Sequence, residues 1–362
     1  VYKRQSVGSD ARRSHPSRGA ALSSRPGGPS RPGEMRPSPE FDRIRSLIQA
    51  VGASYTPEVA LGPGDDAAIL DVTDSEVVLV STDLSVEHVH FHREWLTWDS
   101  IGFRAVAAAL SDLAAMAARP IGVLVSLAIP PEVDDRTLDE IAGGMGECLR
   151  EHGASLLGGD LSRSPGPVVF DVTVIGAAVD PVRRSGALPG DELWVSGRLG
   201  GAAAAAAAWA GGLEPHPAAR RAFERPTPRL IEARVLSENA EVHAMIDLSD
   251  GLTADAAQIA AASGVAVLLE SERVPLNQVL ENWASSEAAL ALAAGGGEDY
   301  ELLAAIAPGT ARPAARKLAR ELGVGLTRVG SVTEGSGVTW LGAKGEGIEP
   351  PAAGFDHFSA EA

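Results

Sequence analysis

The 362-residue sequence contains a single cysteine, Cys148. An intrachain disulfide is therefore excluded, and so is a cysteine-rich metal centre. The absence of a disulfide framework fits a reducing, cytoplasmic setting. Cys148 lies beside Met145 and Leu149 in a helical stretch, which predicts a buried structural thiol rather than a nucleophile. Aromatic residues make up only 4% of the chain, so the core must be built from Ala, Val, Leu and Ile. No apolar run approaches the roughly 18 residues that a membrane-spanning helix needs. The run Ala202 to Ala208 is apolar but short, and Gly211 and Gly212 stop it. The segment that opens the sequence has no apolar stretch of the secretory-leader kind, so none is expected.

Positive charge is also scarce, except at one end. Residues 1–36 carry eight Lys or Arg and two acids, a net of +6, which leaves −23 on the remainder of a chain whose formal charge is −17. So acidic a body repels nucleic-acid backbones and phosphate-bearing membranes, and neither is expected as a partner. If it handles phosphate compounds, it needs cations as intermediaries. The basic head is rich in Ser, Pro, Gly and Arg without periodicity, the composition of a disordered segment. Met35 precedes the first periodic segment and is the expected native start, which would make residues 1–34 non-native.

Apolar residues at Phe41, Ile44, Leu47 and Ile48 predict a helix. A strand is expected over 77–81, ending in Thr82-Asp83, and a helix from Thr97 or Asp99 to Met116. Further expectations are a strand over 121–129, a helix over 134–152, a short strand over 155–157 before Gly158-Gly159-Asp160, and a strand over 168–178. Pro181 to Gly190 reads as a boundary. Beyond it come a strand over 192–196, a helix over 202–210, a loop over 215–228 and a helix ending near Ser263. Strands over 265–269, 302–306 and 325–329 and a helix over 311–321 complete the second unit, and the last segment from Gly345 reads as loop. Mixed strands and helices give an α/β or α+β class. The domains expected are the head, 1–36; an N-terminal domain, 37–180; and a C-terminal domain, 181–358.

The chemically informative feature is acids beside glycines at the ends of apolar runs: Asp65-Asp66, Asp83, Asp112, Asp160, Asp247 with Asp250, and Glu298-Asp299. Carboxylates on convergent loops suit Mg2+, which takes oxygen ligands and shares them with substrate phosphates. Asp beside Gly also simply makes turns. Asp112 is harder to read that way, because it interrupts an alanine-rich helix. No Gly-x4-Gly-Lys-Ser/Thr loop occurs. The turn Gly197-Arg198-Leu199-Gly200-Gly201 precedes a helix and is placed to cradle an anion, or to act as an ordinary tight turn. His88, His90 and His92 alternate, so in a strand they would face one side. A zinc site there and a contact to an anionic substrate both stay open, the second favoured.

In their order along the chain these motifs resemble those of the thiamine-monophosphate kinases, in the superfamily of aminoimidazole ribonucleotide synthetase. The matching pieces are Gly62-Pro63-Gly64-Asp65-Asp66, Ser81-Thr82-Asp83, Val89-His90-Phe91, Leu110-Ser111-Asp112-Leu113, Gly158-Gly159-Asp160, Arg184-Ser185-Gly186-Ala187, Asp247-Leu248-Ser249-Asp250-Gly251-Leu252 and Gly296-Gly297-Glu298-Asp299-Tyr300-Glu301-Leu302. The resemblance implies an N-terminal mixed-sheet domain that pairs across a homodimer and a C-terminal α/β sandwich-like domain, with nucleotide and metal ions between them. It implies phosphorylation of thiamine phosphate to thiamine diphosphate by ATP, with several Mg2+ ions. By the same resemblance, Asp66, Ser81, Thr82, Asp83, Asp112, Asp160, Asp247 and Asp250 would bind metal. Gly159, Asp160, Arg184 and Ser249 would meet ATP, and His90, Glu298 and Phe355 the thiamine phosphate. No general base is implied. Ala109 stands where these kinases often have Asn. Two rivals within the superfamily are selenophosphate synthetase, whose cysteine-bearing segment has no counterpart here, and a hydrogenase maturation protein, whose terminal cysteine is not matched. A non-catalytic metal- or nucleotide-binding protein is the third.

Overall fold

The computed structural model describes residues 59–61, 65–70, 75–281 and 285–355. The basic head, Met35 and the helix expected at Phe41 to Ile48 lie outside them. The described chain carries two sheets.

The first sheet has six strands: β1 Val59–Leu61, β2 Ala68–Leu70, β3 Val77–Val86, β4 Arg119–Ile129, β5 Ser155–Arg163 and β6 Val169–Ala178. Their order is β1-β2-β3-β6-β4-β5, and only the β4–β5 pair in this order is parallel. Along β6, Phe170, Val172 and Val174 are buried while Asp171 and Thr173 between them are not, so one face of the sheet is covered and the other open. Helix α1, Trp98–Ala115, packs on the covered face. It is buried almost all round, from Ser100 to Ala115. Such a helix is a central element with neighbours on every side, and here helix α2, Asp135–His152, the sheet and the second half of the chain surround it. Its alanines allow that closeness. A Cβ at Gly144 of α2 would stand 1.8 Å from the Asp99 carbonyl oxygen, so the crossing of α1 and α2 requires glycine. Asp134 caps α2 by accepting from the Thr137 amide at 2.9 Å, and Gly153 ends it at φ 68°.

The second sheet has seven strands: β7 Glu192–Ser196, β8 Val242–Asp247, β9 Ala266–Glu270, β10 Leu302–Ile306, β11 Leu326–Thr333, β12 Gly337–Leu341 and β13 Gly347–Ile348. Their order is β13-β12-β9-β11-β7-β10-β8. The longer helices of this half are α3 Gly201–Ala210, α4 Pro217–Glu224, α5 Leu230–Asn239, α6 Leu252–Ser263, α7 Ser286–Gly295 and α8 Ala311–Lys317.

Five local expectations need correction. Strand β3 does not end before Thr82-Asp83 but continues to Val86, because its backbone pairs with β6 through residue 86 whatever the side chains are. Gly158-Gly159-Asp160 likewise lies inside β5, paired with β4. His88, Val89 and His90 form a turn, with His88 at φ 69° and the His90 amide donating to the Val86 carbonyl at 2.9 Å, so the three histidines do not share a strand face. The stretch 215–228 is not all loop. Pro217 begins α4, which buries Ala219 and Phe223. The helix after Ala311 changes to a wider π turn over Leu318–Leu322. Cys148 is a buried free thiol, and burial pushes its pKa up. Among the described residues no helix is long and apolar enough to cross a membrane.

Candidate active site

The loop after β1, strand β3, helix α1 and the end of β8 each contribute acid to one place. Asp66, Asp112 and Asp247 each offer a carboxylate oxygen, and these lie within 4.8 Å of one another. Asp112 is presented by α1, and Asp247 ends β8. Ser81 of β3 donates to Asp112 Oδ2 at 2.5 Å. Asp83, two residues on, shares the covered face with Ser81 by strand alternation.

Electrostatics set this cluster apart. Burial, then repulsion from Asp66, pushes the Asp247 carboxyl up to about 7. Burial, then Asp247, raises Asp112 well above the usual range. Burial and then Glu298 raise Asp83 to about 6. Packed acids that repel one another in a dry place are costly unless a cation joins them. Asp66 Oδ2 is buried there with no hydrogen-bond partner among the described residues. An all-oxygen donor set with an unsatisfied carboxylate oxygen fits a hard divalent cation.

Arg184 brings a cation of the chain itself to the cluster. The Arg184 guanidinium donates to Asp66 Oδ1 at 2.9 Å, and its backbone amide donates to Asp65 at 3.1 Å. Burial works against the Arg184 charge, but Asp66, Asp65 and Asp247 more than offset it. Its Nε is buried without a partner.

A second group of motifs converges beside the first. The Leu248 amide donates to the Glu301 carbonyl at 2.7 Å, the Glu298 amide to the Ser249 carbonyl at 2.8 Å, and the Phe355 amide to the Asp250 carbonyl at 3.0 Å. Ser249, Asp250, Glu298 and Phe355 are thereby stitched together. A Cβ at Gly297 would stand 2.3 Å from the Ser249 carbonyl oxygen, which is why a glycine precedes Glu298. His90 accepts from the Val86 amide through Nδ1 at 3.0 Å.

Thr82, Gly159 and Asp160 are placed differently. Thr82 turns to the open face, where its hydroxyl meets Asp171 at 2.5 Å and Thr173 at 3.1 Å. Asp160 is level with Ser126 and Asp171 across the same face and is exposed. Gly159 lies beside it on β5, where a Cβ would stand 2.0 Å from the Val125 carbonyl oxygen. Within one copy of the chain, the expected metal and nucleotide ligands therefore fall on both faces of the first sheet.

The helix-start turn at Gly197 to Gly201 does hold an acid, but one from the protein. Asp299 accepts from the Gly200 amide at 2.7 Å, and the amides of Gly201 and Ala202 also favour its charge. Burial nevertheless lifts Asp299 to about 8. Sequence reasoning named Asp65 only within the Asp65-Asp66 pair and gave no role to Arg104 or Asp255. Arg104, a lone cation in the alanine-rich α1, carried a signal. Asp255, whose Oδ2 accepts from the amides of Asp250 at 3.1 Å and Gly251 at 3.0 Å, carried only its place in the first turn of α6.

The chain is similar to known proteins. The N-terminal domain of AIR synthase related protein matches residues 64–178, and the C-terminal domain matches residues 189–341. A thiamine-monophosphate kinase of Rhodopirellula baltica is 36% identical over 78% of this chain and 86% of its own length. The chain belongs to the thiamine-monophosphate kinase family. Among solved structures, the family's enzyme from Stenotrophomonas maltophilia K279a is 34% identical, with a TM-score of 0.70 over 85% of this chain and 96% of that one. AaThiL complexed with AMPPCP and TMP is 29% identical, with a TM-score of 0.74 over 88% of this chain and 97% of that one.

Proposed function

We propose that this chain transfers the γ-phosphoryl group of ATP to thiamine phosphate, giving ADP and thiamine diphosphate. The observation that carries the reading is the oxygen cluster of Asp66, Asp112 and Asp247 in a chain of this family. Support for the two substrates comes from the solved relative with AMPPCP and TMP.

Donor and acceptor are both anionic and repel each other. Asp66, Asp112 and Asp247, with Ser81 and Asp83 beside them and Asp250 in the neighbouring loop, would hold Mg2+. When bound, Mg2+ neutralises phosphate charge and helps bring the two substrates into line. We assign Asp160 and Thr82 to metal, and Gly159 and Asp160 to the nucleotide, from the resemblance of their motifs to those of the family. Arg184, fixed by Asp65 and Asp66, presents its remaining donors to phosphate oxygen. Ser249 sits where it can meet the nucleotide. His90, Glu298 and Phe355 are assigned to thiamine phosphate. Phe355, 39% exposed, offers a ring face to the cationic thiazolium. An acceptor phosphate oxygen forms the new bond to the γ-phosphorus as the bond to the ADP oxygen breaks. A phosphate with a second pKa of about 6 is already ionised near neutral pH, so no side-chain base is required.

We divide the chain into two domains, 37–180 and 181–358, one taken for each sheet. A homodimer through the first sheet is supported by its exposed leucines, among them Leu84, Leu124, Leu156 and Leu157. The acidic charge argues against nucleic acid and membrane partners, and the lone buried thiol suits the cytoplasm.

The deciding assay is ADP release with and without thiamine phosphate. Release that depends on thiamine phosphate and Mg2+ is the expected result. Release indifferent to thiamine phosphate, or nucleotide binding with no turnover, would overturn the reading.

A further inference from the structure

Arg104 has no part in the motifs above, yet it joins the two halves of the chain at the candidate site. It projects from α1, buried, with only 4% of its side chain exposed. One terminal nitrogen donates to the Phe223 carbonyl of α4 at 3.0 Å, and the guanidinium lies over the Phe223 ring, 3.8 Å from its centroid. The other donates to Glu298 Oε2. Tyr300 also donates its hydroxyl to Glu298 Oε2, at 3.0 Å. Both of these contacts land on one oxygen. Oε1 is then the acceptor left for a ligand, on a side chain that is 23% exposed.

Glu298 and Tyr300 hold positive φ, 71° and 51°, which non-glycine residues keep only when their surroundings compel it. Arg104 is part of that compulsion, because a fork gripped by a ring and a carbonyl cannot follow the carboxylate if it drifts. Arg104 also lies close enough to Asp83 to favour its ionised form against Glu298. A carboxylate beside an acidic cluster thereby stays aimed, and part of the repulsion it adds is offset.

We propose that Arg104 is a positioning residue for substrate recognition: it fixes Glu298, with Tyr300, so that one carboxylate oxygen meets the amine-bearing end of the phosphate acceptor. Arg104 itself touches no substrate. Because its charge offsets that of Glu298, the loop selects the acceptor by an oriented hydrogen-bond acceptor more than by net negative charge. The proposal rests on the assignment of Glu298 to thiamine phosphate.

The test is calorimetric binding of thiamine phosphate, with steady-state kinetics, for wild type, Arg104→Met, Arg104→Lys, Glu298→Gln and the double variant Arg104→Met/Glu298→Gln. Arg104→Met is expected to weaken thiamine phosphate binding about tenfold and to leave the KM for ATP within about twofold. The double variant should be no worse than Glu298→Gln alone, since the two residues act as one unit. Arg104→Lys, which keeps the charge and much of the packing, guards against misfolding. It should melt like wild type yet still bind thiamine phosphate less well, for want of the fork. Equal losses for ATP and thiamine phosphate, or additive losses in the double variant, would reduce Arg104 to a structural strut. If wild type binds thiamine phosphate and Arg104→Met binds it as tightly, this proposal alone fails. If wild type binds none, the functional reading falls with it.

Discussion

Asp112 shows how one residue can be read from its neighbours but not from its own type. In an alanine-rich helix an acid is either on the surface or a ligand. It is not exposed, and among the described residues no cation pairs with it; it meets Ser81 and two other aspartates. Asp112→Asn is expected to lower kcat at least about 100-fold with the circular dichroism spectrum unchanged, and to require more Mg2+ for half-maximal rate. Wild-type turnover of that variant at limiting Mg2+ would remove Asp112 from the metal site. Ser81 and Thr82 were named together from sequence, but neighbours in a strand point to opposite faces, and only Ser81 reaches Asp112. That split was hidden because the polar Ser-Thr-Asp run looks like the end of a strand. The backbone ladder that carries it onward belongs to the partner strand, more than eighty residues away.

At the level of elements, α1 was legible in full: its expected span, Thr97 or Asp99 to Met116, encloses the observed Trp98–Ala115. Its length and periodicity are local properties. The helix Pro217–Glu224 was not legible, since a short segment bounded by prolines reads as loop until Phe223 is seen packed beneath Arg104. The glycines of α2 carry a prediction at this scale. Gly144→Ala forces a methyl into the Asp99 carbonyl and must push α1 and α2 apart. It is expected to destabilise the fold by about 1–3 kcal/mol, measured by urea unfolding, and to lower activity by shifting Asp112 on the same helix. Gly143, with open space beyond it, is the control: Gly143→Ala should be neutral or slightly stabilising.

The whole molecule should respond to pH and Mg2+ together. Asp65 and Asp83 are raised to about 6 and Asp247 to about 7, against an ordinary value of 3.8. The folded protein thus binds protons that the unfolded chain releases. This contribution to stability is full below the ordinary value and is lost as pH rises through about 6 to 7. Without Mg2+ the melting temperature should fall over that interval. Added Mg2+ should raise it more at each step upward in pH, because a cation is held by ionised carboxylates. Asp247→Asn should flatten both trends. A metal-free protein whose stability climbs over the same interval would contradict the buried acidic cluster. The open face of the first sheet carries a separate expectation. A lysine in place of Leu124, on that face beside Thr173, should convert a dimer to monomers in light scattering. An unchanged dimer would move the interface elsewhere.

The sequence by itself determined the chemical inventory: which carboxylates exist, that they sit beside glycines, that no disulfide or P-loop competes with them, and which family their order matches. Those are matters of residue type and spacing, written along one dimension. Only the tertiary structure decided which of them meet. Residues 66, 112 and 247 come within 4.8 Å of one another because α1 packs on both β3 and β8 and the loop after β1 reaches the same place. Thr82 and Asp160 are set on the other face by strand alternation. Glu298 is tied to Arg104, 194 residues away. Such contacts are set by packing between distant segments, and packing depends on the volume and pairing of the whole core, which no local stretch of sequence contains.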